Sequence, residues 1–317
     1  MTDTQNEVFK TPVNKIRLFE HGAPGSQNLK LTRKYYTEDM PDGRVKHIVQ
    51  NITDPDIVPY IPDGIGNSTD RQRIPAVLII PGGAFRRLVY NFEGEDVAKW
   101  LNSMGIAAFV LECRLPSDEH DNAEDVPLID AMRAMRVIRG MAQEFGIDEA
   151  KIGVMGFSAG GFMAALLSTV YESDVYADYK YKDEYDKLSA RPDFAVCSYP
   201  VISIDDCIEA GKRYMSEEQV LERISDSKAK ILHKYNPDKL VRPDMPPVFI
   251  CETDDDRTTL SENSVGFYMA ARKAGVSAEL HIFRTGGHGY GCGDDFAQTG
   301  EWKVLFTKWI KSIGIIS

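Results

Sequence analysis

Short apolar runs rich in β-branched residues alternate along this chain with longer segments of helical period, and that alternation narrows its folds more than any other feature. The strand candidates are Lys46–Ile52, Ala76–Ile80, Ala107–Leu111, Ile152–Met155, Phe194–Tyr199, Val248–Cys251 and Glu279–Phe283. Several are apolar without alternation, as in central strands covered on both faces. Asp96–Met104, Leu128–Phe145, Gly161–Tyr171, Glu262–Ala274 and Glu301–Ile313 read as helices. In the second, Leu128, Ala131, Met132, Met135, Ile138 and Ala142 share one face, while Arg133, Arg136 and Arg139 lie off it. The order predicts an α/β fold: a mostly parallel central sheet with helices on both faces.

At 317 residues the chain is long enough for one large domain or two small ones. Two stretches stand outside the alternation. Tyr171–Arg191 is acidic and carries five tyrosines, and Asp205–Pro247 has a polar helical pattern between two strands. Neither has the apolar residues for its own core, so both read as insertions, the second (205–247) as a small cap. The polar first 45 residues, punctuated by Gly and Pro, read as an ordered wrap on a single domain, 1–317.

Charge excludes several partners. Lys plus Arg number 37 against 48 Asp plus Glu, a net charge of −11. Nucleic acid and anionic membrane surfaces both ask for a basic face. Apolar runs such as Ala76–Ile80 fall far short of the roughly 18–20 residues that span a bilayer. Met1–Glu7 has neither a basic nor an apolar region of a signal peptide, so a cytoplasmic location is expected. Five cysteines without a CxxC pair read as buried thiols of a reducing compartment. No Cys/His cluster has zinc-ligand spacing, so neither a metal nor a cofactor is expected.

The chemistry is concentrated in Lys151–Ala165, where a short apolar strand runs into Gly156-Phe157-Ser158-Ala159-Gly160 and then an alanine-rich helix. A nucleophile in a sharp strand-to-helix turn needs small residues two before and two after it, and Gly156 and Gly160 supply them. Ser158 would then stand at a helix N-terminus, whose dipole favours developing negative charge.

Such a serine needs a base and donors for an oxyanion. Pro81-Gly82-Gly83-Ala84-Phe85 follows the strand Ala76–Ile80, and the N–H groups of Gly83, Ala84 and Ala159 form the candidate oxyanion hole. His288, within Gly286-Gly287-His288-Gly289 after a late strand, is the candidate base. The acid should follow Val248–Cys251, where Asp254, Asp255 and Asp256 stand in a row and spacing does not choose among them. The order Ser…Asp…His is that of α/β-hydrolases.

These motifs carry a family resemblance over nearly the whole chain. It runs through Gly22–Gly25, Pro81–Phe85, Glu93–Asn102, Arg114-Leu115-Pro116, Gly153–Gly161, Arg191–Phe194, Tyr199–Ile202, Asn263-Ser264 and Gly286–Gly289. The chain resembles the α/β-hydrolase esterases of the acetylxylan esterase and feruloyl-esterase-like (BD-FAE-type) family. Their pattern around the acid resembles His-Thr-Ala-Asp-Asp-x-x-Val-Pro-x-Glu-Asn-Ser. Laid on this chain without a gap it begins at Glu252, and the aspartate with the catalytic role falls on Asp256, with Asp255 the runner-up. Glu252, Thr259-Leu260 and Ala84 depart from the pattern, as does Cys113, where relatives often have tyrosine.

The resemblance implies a cofactor-free serine carboxylesterase with Ser158, His288 and Asp256 as its triad. Short-chain, acetyl-type esters follow as substrates, on small molecules or xylo-oligosaccharides. Phe85, Tyr90 and the tyrosines of the excursion are candidates for stacking on sugar. Two readings compete: a prolyl-oligopeptidase-like peptidase or amidase, for whose propeller this chain has no room, and a non-catalytic binding protein on the same scaffold. Oligomeric state is left open, a homo-oligomer included.

Overall fold

The continuous apolar runs become the buried middle of one twisted sheet. In the computed structural model, which describes residues 9, 12–64, 73–214, 216, 218–219, 229–293 and 298–317, that sheet has eight strands. They are β1 (Ile16–Arg17), β4 (Asp56–Tyr60), β5 (Ile74–Ile80), β7 (Ala107–Glu112), β8 (Ile147–Phe157), β9 (Ala195–Ser198), β10 (Val248–Thr253) and β11 (Ala278–Phe283). Their spatial order is β1-β4-β7-β5-β8-β9-β10-β11. From β7 to β11 every pairing is parallel, and β4 and β1 add an antiparallel edge. Every residue of β7, β9 and β10 is buried, which explains why these strands do not alternate.

Helices α1 (Asp96–Ser103), α2 (Val126–Gly140), α3 (Ala159–Val170), α4 (Ile204–Tyr214), α5 (Ala229–Lys234), α6 (Ser261–Lys273) and α7 (Trp302–Ser312) follow in the chain. On one face α1 meets α7 through Trp100, whose ring lies 4.9 Å from Trp302 and 5.4 Å from Phe306. The expected parallel α/β sheet is the architecture found. The cap stretch 205–247 holds most of α4 and all of α5, and its residues 215, 217 and 220–228 lie outside those described.

One expectation is corrected, and two features are added. Lys46–Ile52 is not a strand of the central sheet. It forms β3 (Val45–Gln50), paired between β2 (Lys34–Asp39) and β6 (Leu88–Val89) in a separate antiparallel sheet. The strand candidates also lack β4, which carries Pro59, a residue rare inside strands. Pro59 lies beyond the two residues of β1, where β4 is the sheet edge, so its missing N–H leaves no ladder bond open there. Finally, the arginine row that lies off the apolar face of α2 packs under the tyrosine-rich excursion. Arg133 is buried and bonds Asp183 at 2.7 Å and Asp186 at 3.0 Å; Arg136 bonds the Leu188 carbonyl at 3.0 Å. Arg139 bonds the Arg191 carbonyl at 2.9 Å. The tyrosine-rich excursion is clamped onto α2 by these three side chains.

A fourth arginine fixes the turn after β7. Arg114 and Asp130 are fully buried, joined through Nη2–Oδ1 at 2.6 Å and Nε–Oδ1 at 3.0 Å, and Arg114 also reaches Ser26 Oγ at 2.9 Å. Arg114→Ala strands Asp130 in the core without its partner and is expected to lower unfolding free energy by about 3–5 kcal/mol. Urea denaturation measures this; a loss below about 1 kcal/mol would show that the pair is not what holds the turn.

Candidate active site

The site forms at the C-terminal ends of the parallel strands, where loops from β5, β8, β10 and β11 converge. Ser158 sits between β8 and α3 with φ 53° and ψ −117°, a strained conformation for a residue with a side chain. Surrounding backbone leaves no alternative. A Cβ on Gly156 would lie 1.9 Å from the Gly160 carbonyl oxygen, and one on Gly160 would lie 1.9 Å from that of Ile80. The Ser158 N–H is held by the Ser198 carbonyl at 3.0 Å, which ties the turn to β9.

His288 arrives from the loop after β11. Its Nε2 lies 2.9 Å from Ser158 Oγ and its Nδ1 lies 2.6 Å from Asp256 Oδ2. An ionised carboxylate only accepts, so Nδ1 carries the ring proton and Nε2 is free to accept from the serine hydroxyl. The three candidate residues, 130 and 32 positions apart in sequence, are thus joined in one relay.

The three adjacent aspartates separate cleanly in space. The Asp254 N–H donates to the Phe283 carbonyl at 2.8 Å. Asp255 is exposed, and its Oδ1 accepts from the Gly286 and Gly287 N–H groups at 2.9 and 2.8 Å, shaping the loop that carries His288. Asp256 is buried and faces His288. Burial alone would raise the Asp256 pKa. The hydrogen bond and charge of His288, with the N–H groups of Thr259 and Thr258, instead hold it below the ordinary carboxylate range.

Two departures from the family pattern lie against this acid. Thr259 Oγ1 stands 3.0 Å from Asp256 Oδ2 and 3.2 Å from His288 Nδ1. Glu252 is fully buried, and its pKa is driven well up by burial and by the charge of Asp256. Nothing in the sequence marked either as part of the site except that they broke the pattern.

Gly83 and Ala84 occupy the loop after β5, and Ala84 and Phe85 both hold left-handed backbone, φ 57° and 59°. Among the described residues the Gly83 and Ala84 N–H groups donate to no protein acceptor. Ala159 opens α3 beside the serine. A small apolar cavity of about 10 Å³, room for roughly one water, adjoins this loop, lined by Gly82, Phe85, Cys113, Leu115, Ala159 and Met163 among others.

The stacking candidates fare differently. Tyr90 is 1% exposed, with its hydroxyl 3.1 Å from that of Tyr60, so it has no face to offer a sugar. Phe85 is also buried, edge-on to Phe162 at 5.6 Å, and borders the cavity instead of presenting a platform. Burial corrects both as sugar-stacking platforms, and only Phe85 keeps a place beside the cavity. In the excursion Tyr181 is the exposed ring, tilted over His21 at 4.8 Å.

Cys113, Cys197 and Cys251 are free and buried, and Cys292 is buried; the side chain of Cys207 lies outside those described. Among the described residues no group of three His, Cys, Asp or Glu side chains is placed to hold a metal ion. No described helix is long and apolar enough to cross a membrane.

Comparison with known proteins bears on this geometry. A family model described as BD-FAE matches residues 65–270. The chain is 31% identical over 240 residues to an acetylxylan esterase of Xylanibacter ruminicola, covering 75% of this chain and 45% of that protein. It is 31% identical over 227 residues to endo-1,4-beta-xylanase B of Butyrivibrio fibrisolvens, covering 71% of this chain and 34% of that protein. The chain therefore spans less than half the length of these curated relatives. Among solved structures, an acetyl ester-xyloside bifunctional hydrolase from Caldicellulosiruptor lactoaceticus matches with 35% identity and a TM-score of 0.70, covering 96% of this chain and 97% of that one. An esterase of Thermogutta terrifontis, Est2, at 24% identity and a TM-score of 0.65 over 93% of this chain and 96% of its own, shares the fold.

Proposed function

The chain belongs to the BD-FAE family, and from that premise we propose that it is a serine carboxylesterase hydrolysing short-chain, acetyl-type esters, with acetylated xylo-oligosaccharides as a substrate class. The observation that carries the reading is the relay Ser158–His288–Asp256, with contacts of 2.9 and 2.6 Å.

His288 Nε2 takes the Ser158 proton as Oγ attacks the ester carbonyl. The N–H groups of Gly83, Ala84 and Ala159 receive the oxyanion, and buried Asp256 stabilises the imidazolium through Nδ1. The C–O bond to the alcohol then breaks, and the alcohol leaves with the proton from Nε2. Water, deprotonated by the same nitrogen, attacks the acyl-serine and releases the acid. Each step uses only the chain's own groups and water.

The limit to short acyl groups rests on the cavity beside Gly82 and Ala159, with room for roughly one water, the size of a methyl group. Relatives named acetylxylan esterase and acetyl ester-xyloside bifunctional hydrolase support the same class.

A hydrolysis panel tests the proposal: p-nitrophenyl acetate, butyrate and octanoate, an acetylated xylo-oligosaccharide, methyl ferulate and a peptide anilide. Acetate is expected to exceed butyrate in kcat/KM by about tenfold or more, since each surplus methylene in a hydrophobic pocket this small costs about 1–3 kcal/mol. Faster cleavage of the anilide than of every ester would reject the esterase reading in favour of an amidase.

A further inference from the structure

Ahead of α1 the chain makes a single π turn, Asn91–Glu95, closed by the Glu95 N–H on the Tyr90 carbonyl at 2.8 Å. Such turns are rare and often found at functional sites. This one directs Glu93, 4% exposed, into the space between two loops of the site. One carboxylate oxygen, Oε2, accepts the Gly82 N–H at 2.8 Å; the other, Oε1, accepts the Tyr199 hydroxyl at 2.9 Å. That hydroxyl in turn accepts the Gly291 N–H at 3.0 Å.

The two ends of this chain of bonds are informative. Gly82 directly precedes Gly83 and Ala84, the proposed oxyanion donors, and Gly291 lies three residues after His288. The Tyr199 ring itself stands edge-on to the His288 ring, with centroids 5.0 Å apart. Seating is tight throughout. A Cβ on Gly82 would come within 2.8 Å of Glu93 Oε2 and 2.9 Å of the Ser158 Cβ, and one on Gly291 within 2.6 Å of the Phe92 carbonyl oxygen.

We propose that Glu93 is a positioning residue of the esterase, a buried carboxylate that clamps the oxyanion loop and, through Tyr199, the histidine loop into one frame. The inference rests on the reading of Ser158 as nucleophile. Both partners of Glu93 donate to it, a set that suits a carboxylate and that an amide cannot reproduce, because one end of an amide is itself a donor. Burial raises the Glu93 pKa, while the charge of His288 and the bonds from Tyr199 and Gly82 oppose that rise. The clamp therefore sets where the oxyanion donors stand relative to Ser158 and His288, the geometry on which acyl transfer depends most steeply.

The test compares wild type, Glu93→Gln and Tyr199→Phe in p-nitrophenyl acetate hydrolysis, with rates divided by the concentration of sites that react with a fluorophosphonate ester. Glu93→Gln is expected to lower kcat per labelled site by about 10–100-fold while KM stays within about threefold. A merely structural role would lower the labelled fraction and the Tm but not the turnover of each labelled site. A loss below about tenfold per labelled site would overturn the proposal. Where Glu93→Gln yields no labelled sites, Tyr199→Phe decides. It keeps the Gly82 bond and frees Gly291, so about a fivefold loss in kcat is expected, and no loss per labelled site would overturn the clamp. Wild type that neither labels nor hydrolyses the ester would instead refute the underlying reading.

Discussion

Replacing Ser158 with alanine is expected to lower kcat/KM for p-nitrophenyl acetate by roughly 10⁴–10⁶-fold, with the folded state retained. In the proposed mechanism this hydroxyl forms the acyl bond, so nothing else in the relay can stand in for it. The residual rate would come from the oxyanion donors and from substrate binding alone. Stability should change little. Alanine keeps the Cβ that makes φ 53° strained, and the Ser198 bond to the Ser158 N–H needs no side chain. Stopped-flow kinetics and thermal unfolding measured on the same sample check both halves. Turnover within about tenfold of wild type would mean that another nucleophile acts.

Asp256→Asn is expected to lower kcat by about 10⁴-fold, and Asp255→Asn by no more than about threefold. The difference follows from what each oxygen meets. Asp256 Oδ1 accepts the Thr258 and Thr259 N–H groups at 2.7 and 3.0 Å, which directs the amide oxygen of the variant to that side. Its NH₂ would then face His288 Nδ1, forcing the ring proton to Nε2, where it can no longer accept from Ser158. At Asp255 a single oxygen accepts from Gly286 and Gly287, and an amide oxygen can do the same. The reverse ranking would move the orienting acid one residue back along the chain.

The elbow was legible because its demands are local. Two glycines flank the serine within five residues, strand precedes and helix follows, and each requirement shows in the sequence itself. The choice among Asp254, Asp255 and Asp256 was not local. It depends on which way each side chain leaves a turn whose neighbours are Phe283 and Gly286–His288, some thirty residues on; only the family pattern pointed to Asp256. Glu93 was illegible for the same reason. Its partners lie 11 and 106 residues away, so the motif Glu93–Asn102 includes the residue without showing what it holds.

Elsewhere the sequence misled through exposure. Tyr90 and Phe85 lie close to the oxyanion loop in the chain and so read as substrate platforms, yet both turn into the core. The arginines of α2 lie off its apolar face, and the acidic excursion covers them. In each case the periodicity or proximity was read correctly. What it could not convey was the second element that packs on top.

The most direct test of the central claim is the mass of the protein after reaction with a fluorophosphonate ester, followed by peptide mapping. One phosphonyl adduct per chain is expected, located on Ser158 and absent from Ser158→Ala. An adduct on any other residue, or an unmodified chain that still hydrolyses p-nitrophenyl acetate, would contradict it.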